Sequence, residues 1–338
     1  MFKIQRHIAQ LAICLFSSLL ILGCSTRHSS YTTIESEALG TFVQVKYGGE
    51  VDSDVVTDLI REVDTEAKAS LSIFDPTSLL SRINRNECDS LDKHIAFNLK
   101  LAGHFTNISN GAYDVTIKPL TEAWGFASKH NNNEVPNIDS LLEFVGYDKL
   151  SVENNRLIKS DKRTQLDFNS IAKGYTVDIL AERLEALGIE DYMVNIGGEI
   201  RCLGKNFRGD VWSIGIETPY DGNMEGESLE KIIHIEDCAV ATSGNYRRFY
   251  LNDKGEKIAH TLSPKSGKSV VSKLLSATVV APTCAEADAA ATMFMAMGSD
   301  GGALELARRC EEEYGWEFYF IYADGTDYKI ECSERFRD

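Results

Sequence analysis

Residues 282–298 read PTCAEADAAATMFMAMG, and this stretch signals both a helix and a use for it. Thr283 followed three residues later by Glu286 has capping-box spacing, and Gly298 offers the left-handed stop at which helices end. The pattern predicts a helix from about Cys284 to Met297. On it Asp288 and Thr292 stand four apart, so a carboxylate and a hydroxyl share one face, as a hard divalent cation would require. Ala285, Ala287, Ala289, Ala290 and Ala291 leave room for a neighbouring backbone or a ligand. The same features suit an Ala-rich packing helix with a solvated Asp, so the surrounding chain has to decide.

Working outward, Ser276–Ala281 is a strand that delivers this helix. Before it, HTLSPKSG, His260 to Gly267, is an irregular loop, whose His is a proton carrier, a phosphate contact or plain surface. In AVATSGNYRRFY, Ala239 to Tyr250, the residues Thr242, Ser243 and Gly244 are expected to break a strand, exposing hydroxyls and N–H groups suited to phosphate oxygens. Tyr192–Ile196 reads as a buried strand running into Gly197, Gly198 and Glu199, which permits a close ligand or a tight hairpin. Asp167–Gly188, DFNSIAKGYTVDILAERLEALG, predicts a helix capped by Asn169 or Ser170 and ended by Gly188. Helix starts attract anions. Lys173 in the first turn defies the dipole, so it either meets a negative ligand or is solvated. In GAYDVTIKPL, Gly111 to Leu120, Tyr113 and Asp114 form either a ring-binding edge or a hydrogen-bonded corner.

The remainder alternates strands and helices. Thr41–Tyr47, Val211–Ile216 and Lys231–Ile235 are expected as strands, with further strands over Leu157–Leu166 and a hairpin of Trp316–Tyr322 with Tyr328–Cys332. Val55–Ser70, Asp92–Asn110 and Ile138–Val145 are expected as helices. Phe74 lies in a loop, as a core plug or a stacking surface. His130–Asn137 and Pro219–Glu227 are polar loops.

With 338 residues, 43% of them hydrophobic and 25% charged, the chain is of ordinary soluble composition, and it is long enough for a large core. Its net charge of -16 argues against nucleic acid as a partner, and a phosphate-bearing ligand would need local cations or a metal. Lys3 and Arg6 precede an apolar run, Ile8 to Leu22, too short for a typical span. The run ends in Ile21, Leu22, Gly23, Cys24, similar to a bacterial lipobox. The expectation is a signal peptide over residues 1–23, lipidation at Cys24, a tether over 24–35, and a periplasm-facing lipoprotein anchored in the inner or outer membrane. Cys88, Cys202, Cys238, Cys284, Cys310 and Cys332 remain, with no pairing chosen and no CxxC or Cys/His cluster to suggest zinc.

In this order the pieces resemble the ApbE family of FAD:protein FMN transferases. The motifs that carry the resemblance are LGT at Leu39, SIFDPTSLLSRIN from Ser72, GAYDVTIKPL with WGF, LDFNSIAKGYTVD from Leu166, NIGGE from Asn195, ATSGNY from Ala241, HTLSPKSG and ADAAAT from Ala287. Leu39 stands where Met is usual, and Lys173 is basic where some relatives carry Glu. The resemblance implies a single α+β domain over 36–338, related to the T-fold, with mixed or antiparallel sheets flanked by helices. It implies Mg²⁺ at the FAD pyrophosphate, held by Ser170 through its carbonyl, Asp288 and Thr292. It places flavin and nucleotide contacts at Leu39, Phe74, Ala112, Tyr113, Asp114, Asp167, Lys173 and His260, and Thr242, Ser243 and Gly244 suit the phosphates. Asp288 and His260 are the expected catalytic pair. The reaction implied is transfer of FMN to a Thr or Ser of another protein, such as a redox-pump subunit or an extracytosolic flavoprotein, with AMP released. FAD hydrolysis by water and non-catalytic flavin trafficking are the alternatives.

Overall fold

The computed structural model describes residues 31–127, 136–220, 228–246, 249–252 and 254–337. Cys24, the leader and most of the Asn-rich loop lie outside them. In chain order the strands are β1 (Tyr31–Ala38), β2 (Thr41–Gly48), β3 (Leu150–Glu153), β4 (Arg156–Lys159), β5 (Tyr192–Ile196), β6 (Glu199–Leu203), β7 (Trp212–Glu217), β8 (Leu229–Ile235), β9 (Ala239–Gly244), β10 (Phe249–Leu251), β11 (Lys257–Ala259), β12 (Leu274–Ala281), β13 (Glu317–Asp324) and β14 (Asp327–Cys332). The helices are α1 (Ser53–Leu71), α2 (Leu79–Asn84), α3 (Lys93–Ile108), α4 (Lys118–Ala123), α5 (Ile138–Leu142), α6 (Ala172–Ala186), α7 (Cys284–Met297) and α8 (Ala303–Tyr314). Eight strands form one sheet in the order β1-β2-β5-β6-β9-β12-β13-β14, and each neighbouring pair in it is antiparallel. The α+β architecture is the one expected.

Strand alternation sends side chains to two faces. One face packs on helices: Val43, Val45 and Val194 meet α1 and α6, while Ala241, Ala277 and Val279 share a core with α3, α7 and α8. The other face, with Ile200, Val240 and Val280, is covered by the β7–β8 hairpin through Trp212, Ile214 and Ile233. α7 is buried almost all round, five of its six alanines fully so, and small side chains are what let a helix sit that deep between a sheet and a second helix. Thr283 caps it, accepting from the Glu286 N–H at 3.3 Å.

Several expectations shift. β1 begins at Tyr31 and pairs with β2 along its length, so part of the stretch expected as a tether belongs to the sheet. The strands expected over Leu157–Leu166 are a hairpin that starts earlier, at Leu150. β9 runs through Thr242, Ser243 and Gly244 without a break, because these residues pair with Thr278, Ala277 and Ser276 of β12. α6 starts at Ala172 with no side-chain cap; Ser170 Oγ instead bonds the Tyr113 hydroxyl at 2.8 Å. All six described cysteines are free thiols.

Candidate active site

α6 and α7 meet at Gly174. A Cβ there would stand 2.2 Å from the Cys284 carbonyl oxygen and 2.8 Å from Asp288 Cβ, so nothing larger than glycine allows this approach. The contact lets the Gly174 N–H, in the first turn of α6, donate to Asp288 Oδ2 at 3.0 Å. The Asp288 carboxyl is 3% exposed. Burial, with Glu199 adding to it, pushes it up to about 7, although Lys173 and the Gly174 N–H pull the other way. Below about pH 7 a carboxylate so placed holds its proton, and a cation joining it favours the ionised form.

Asp288 and Thr292 border a cavity of about 320 Å³. On the sheet side Ser243 Oγ lies 3.1 Å from Thr292 Oγ1, and Gly244 and Gly197 complete that wall. At the mouth of α6, Asn169, Ser170 and Lys173 line it. Lys173 Nζ is 2.5 Å from Glu199 Oε2. Burial works against the Lys173 charge, yet Glu199 and Asp288 outweigh it and its pKa is raised. Ala112, Tyr113, Asp114 and Asp167 form a third wall, and His260 faces Phe126 edge to face at 6.4 Å between ring centroids.

The fold thus gathers Ala112, Tyr113, Asp114, Asp167, Ser170, Lys173, Thr242, Ser243, Gly244, His260, Asp288 and Thr292 around one space. Leu39 and Phe74 do not line it. Leu39 makes the β1–β2 turn with φ 52°, and its N–H donates to Asp64 at 2.7 Å. Phe74 is 61% exposed, a surface ring rather than a core plug. Thr242 borders the cavity, but its hydroxyl bonds Thr278 Oγ1 at 2.8 Å on the sheet face away from α7. Asp114 makes a hydrogen-bonded corner: its carboxylate accepts from the Thr116 N–H and hydroxyl and from the Tyr147 N–H at 2.7–2.8 Å. Lys173 is the cation that ran against the dipole, and its partner within the chain is Glu199. That residue has no role on sequence grounds beyond its place in NIGGE. The available signal was its position directly after the glycine pair of the β5–β6 turn.

The donor set suits a magnesium ion. Among the described residues no cluster of three or more His, Cys, Asp or Glu side chains could hold a metal. One buried carboxylate with the Thr292 and Ser243 hydroxyls on the same cavity is the kind of sparse oxygen set that Mg²⁺ would accept together with substrate phosphates.

Similarity to known proteins agrees with this geometry. The model of the ApbE family matches residues 39–316. A Haemophilus influenzae FAD:protein FMN transferase is 34% identical over 334 residues, covering 94% of both chains. A Vibrio cholerae FAD:protein FMN transferase is 33% identical over 299 residues, 86% of this chain and 88% of that one. The solved structure of the flavin transferase ApbE from Vibrio cholerae superposes with a TM-score of 0.80 at 30% identity, covering 91% of this chain and 98% of the other. A family match over most of the length, relatives above 30% identity and a shared fold leave one conclusion: the chain belongs to the ApbE family.

Proposed function

We propose that the chain transfers FMN from FAD to a Thr or Ser hydroxyl of another protein, with AMP as the leaving group and Mg²⁺ bound. The observation that carries this reading is the meeting of Asp288, Thr292 and Ser243 with the Lys173–Glu199 pair around one cavity, in a chain whose relatives bear the transferase name. The reaction forms a bond from the acceptor oxygen to the FMN-side phosphorus and breaks that phosphorus's bond to AMP. Two anionic phosphates repel the incoming oxygen, so fixed positive charge and aimed donors lower the barrier. Asp288, Thr292 and the Ser170 carbonyl would hold Mg²⁺, which neutralises diphosphate charge when bound. Ser243 offers a hydroxyl to a phosphate oxygen, Tyr113 a ring for the flavin, and Lys173 a cation already oriented by Glu199. His260, which lines the cavity, would receive the acceptor proton or steady the phosphate.

Incubation with FAD, Mg²⁺ and an acceptor protein modified by the Vibrio cholerae relative, followed by intact mass, tests this. A gain of one FMN on the acceptor is expected, together with AMP. Free FMN and AMP without an adduct would make the chain a FAD hydrolase, and unchanged FAD a flavin carrier. Anchoring through lipid on Cys24, facing the periplasm, is part of the same proposal and rests on the Leu22-Gly23-Cys24 signal. Cys24→Ser should release the protein from membranes.

A further inference from the structure

The first turn of a helix leaves N–H groups without helical partners. In α7 Thr283 takes one, that of Glu286, and a carboxylate from another helix takes two more. Asp178 of α6 accepts from the Cys284 N–H at 2.9 Å through Oδ1 and from the Ala285 N–H at 2.8 Å through Oδ2. The relation is reciprocal, because Asp288 of α7 accepts from Gly174 in the first turn of α6. Gly174 and Asp178 are four apart, as are Cys284 and Asp288, so each helix presents one donor site and one carboxylate on a single face. Two helices therefore cap each other through a four-cornered clamp. Arg201 of β6 stands behind it, 3.0 Å from Asp178 Oδ1 and 3.3 Å from Glu185. Glu185 in turn accepts from the Tyr192 hydroxyl at 2.6 Å.

We infer that Asp178 is a positioning residue for the metal-binding carboxylate: by locking the first turn of α7 onto α6 it fixes where Asp288, one turn on, presents its free edge to the cavity. Asp178 does not line that cavity, so its influence passes through the helix. The inference rests on the metal reading proposed above, and the experiment separates the two. In Asp178→Asn the amide can accept only one of the two N–H groups, and Arg201 keeps Glu185 alone as a charge partner.

Mn²⁺ binding to the full chain with FAD, followed by electron paramagnetic resonance, serves as the probe alongside FAD binding by flavin fluorescence and turnover against Mg²⁺ concentration. Asp178→Asn should weaken Mn²⁺ by ~10-fold or more, the size expected when a group that orients a metal ligand is lost, while FAD affinity stays within about twofold. Excess Mg²⁺ should restore its turnover, and Asp288→Asn should not recover at any Mg²⁺ concentration. Arg201→Met, which keeps the carboxylate, should show the same pattern at about threefold, and it carries the test if Asp178→Asn does not fold. Wild-type Mn²⁺ affinity in Asp178→Asn, or in Arg201→Met where that variant carries the test, would reduce Asp178 to a helix cap and overturn the inference, whatever the melting temperature. A wild-type chain that binds no Mn²⁺ would overturn the metal reading and this inference with it.

Discussion

Asp178 and Asp288 sit at opposite corners of the same clamp, yet they are satisfied to different degrees. Both are buried carboxylates receiving helix-start N–H groups, and burial pushes both upward. Asp178 has two N–H donors and a guanidinium. Asp288 has one N–H, and the nearby cation, Lys173, is bound by Glu199. A carboxylate with a full complement of donors stabilises a fold; one short of donors in a cavity is held ready for something from outside. The difference divides the clamp into a structural corner and a chemical one.

The largest effect should follow from removing the chemical corner. Asp288→Ala is expected to lower turnover about a thousandfold, equivalent to ~4 kcal/mol of barrier, with FAD still bound in a fluorescence titration. Turnover near the wild-type rate would erase the distinction between the two carboxylates. Gly174→Ala should rank next. Its methyl meets the Cys284 carbonyl at 2.2 Å, a backbone atom that cannot swing away, so the helices must separate at a cost of about 1–3 kcal/mol. Chemical denaturation should show that loss, and Mg²⁺-dependent turnover should fall with it, because the Gly174 N–H leaves Asp288.

A titration sharpens the same contrast. Asp288 has a folded pKa of about 7 against an ordinary 3.8, so the folded chain holds its proton more tightly than the unfolded one. The stability this gives is fully present below pH 3.8 and is lost as pH rises through about 7. Metal-free wild type should therefore lose on the order of 2 kcal/mol across that window relative to Asp288→Asn. Melting curves of the two proteins at pH 5 and pH 8 measure it, and parallel curves would refute it. Mg²⁺ with FAD should restore the wild type at pH 8 and stabilise the variant less, by FAD binding alone.

Much of this site was legible in the sequence, for local reasons. Thr283, Glu286 and Gly298 bound α7 through caps that involve only neighbouring residues, and the 284–297 limits follow from them. The i, i+4 spacing put Asp288 and Thr292 on one face without any knowledge of the fold. What escaped depends on distant partners. Ser170 looks like a helix cap until the Tyr113 hydroxyl, 57 positions away, takes its oxygen. β9 reads as broken at Thr242 until β12 supplies a ladder, since strand formation is decided by cross-strand neighbours more than by propensity. The bond from Asp178 to α7 spans 106 positions and leaves no local mark. Leu39 and Phe74 share motifs with the cavity residues, but motif membership carries no distance, and neither lines the space.

The smallest expected effect concerns two adjacent hydroxyls that look equivalent in the sequence. Strand alternation aims Ser243 at Thr292 of α7 and Thr242 at Thr278 on the far face of the sheet. If phosphate oxygens are met from the α7 side, Ser243→Ala removes a donor beside them and should cost about 1 kcal/mol, roughly a fivefold loss in kcat/KM for FAD. Thr242→Val keeps the shape, removes only the bond to Thr278, and should leave kcat/KM within about twofold while lowering stability slightly. The reverse ranking would mean that the substrate reaches the sheet from the β7–β8 side. Asp288 would then be acting from behind the sheet, and the chemical corner of the clamp would have to be reassigned.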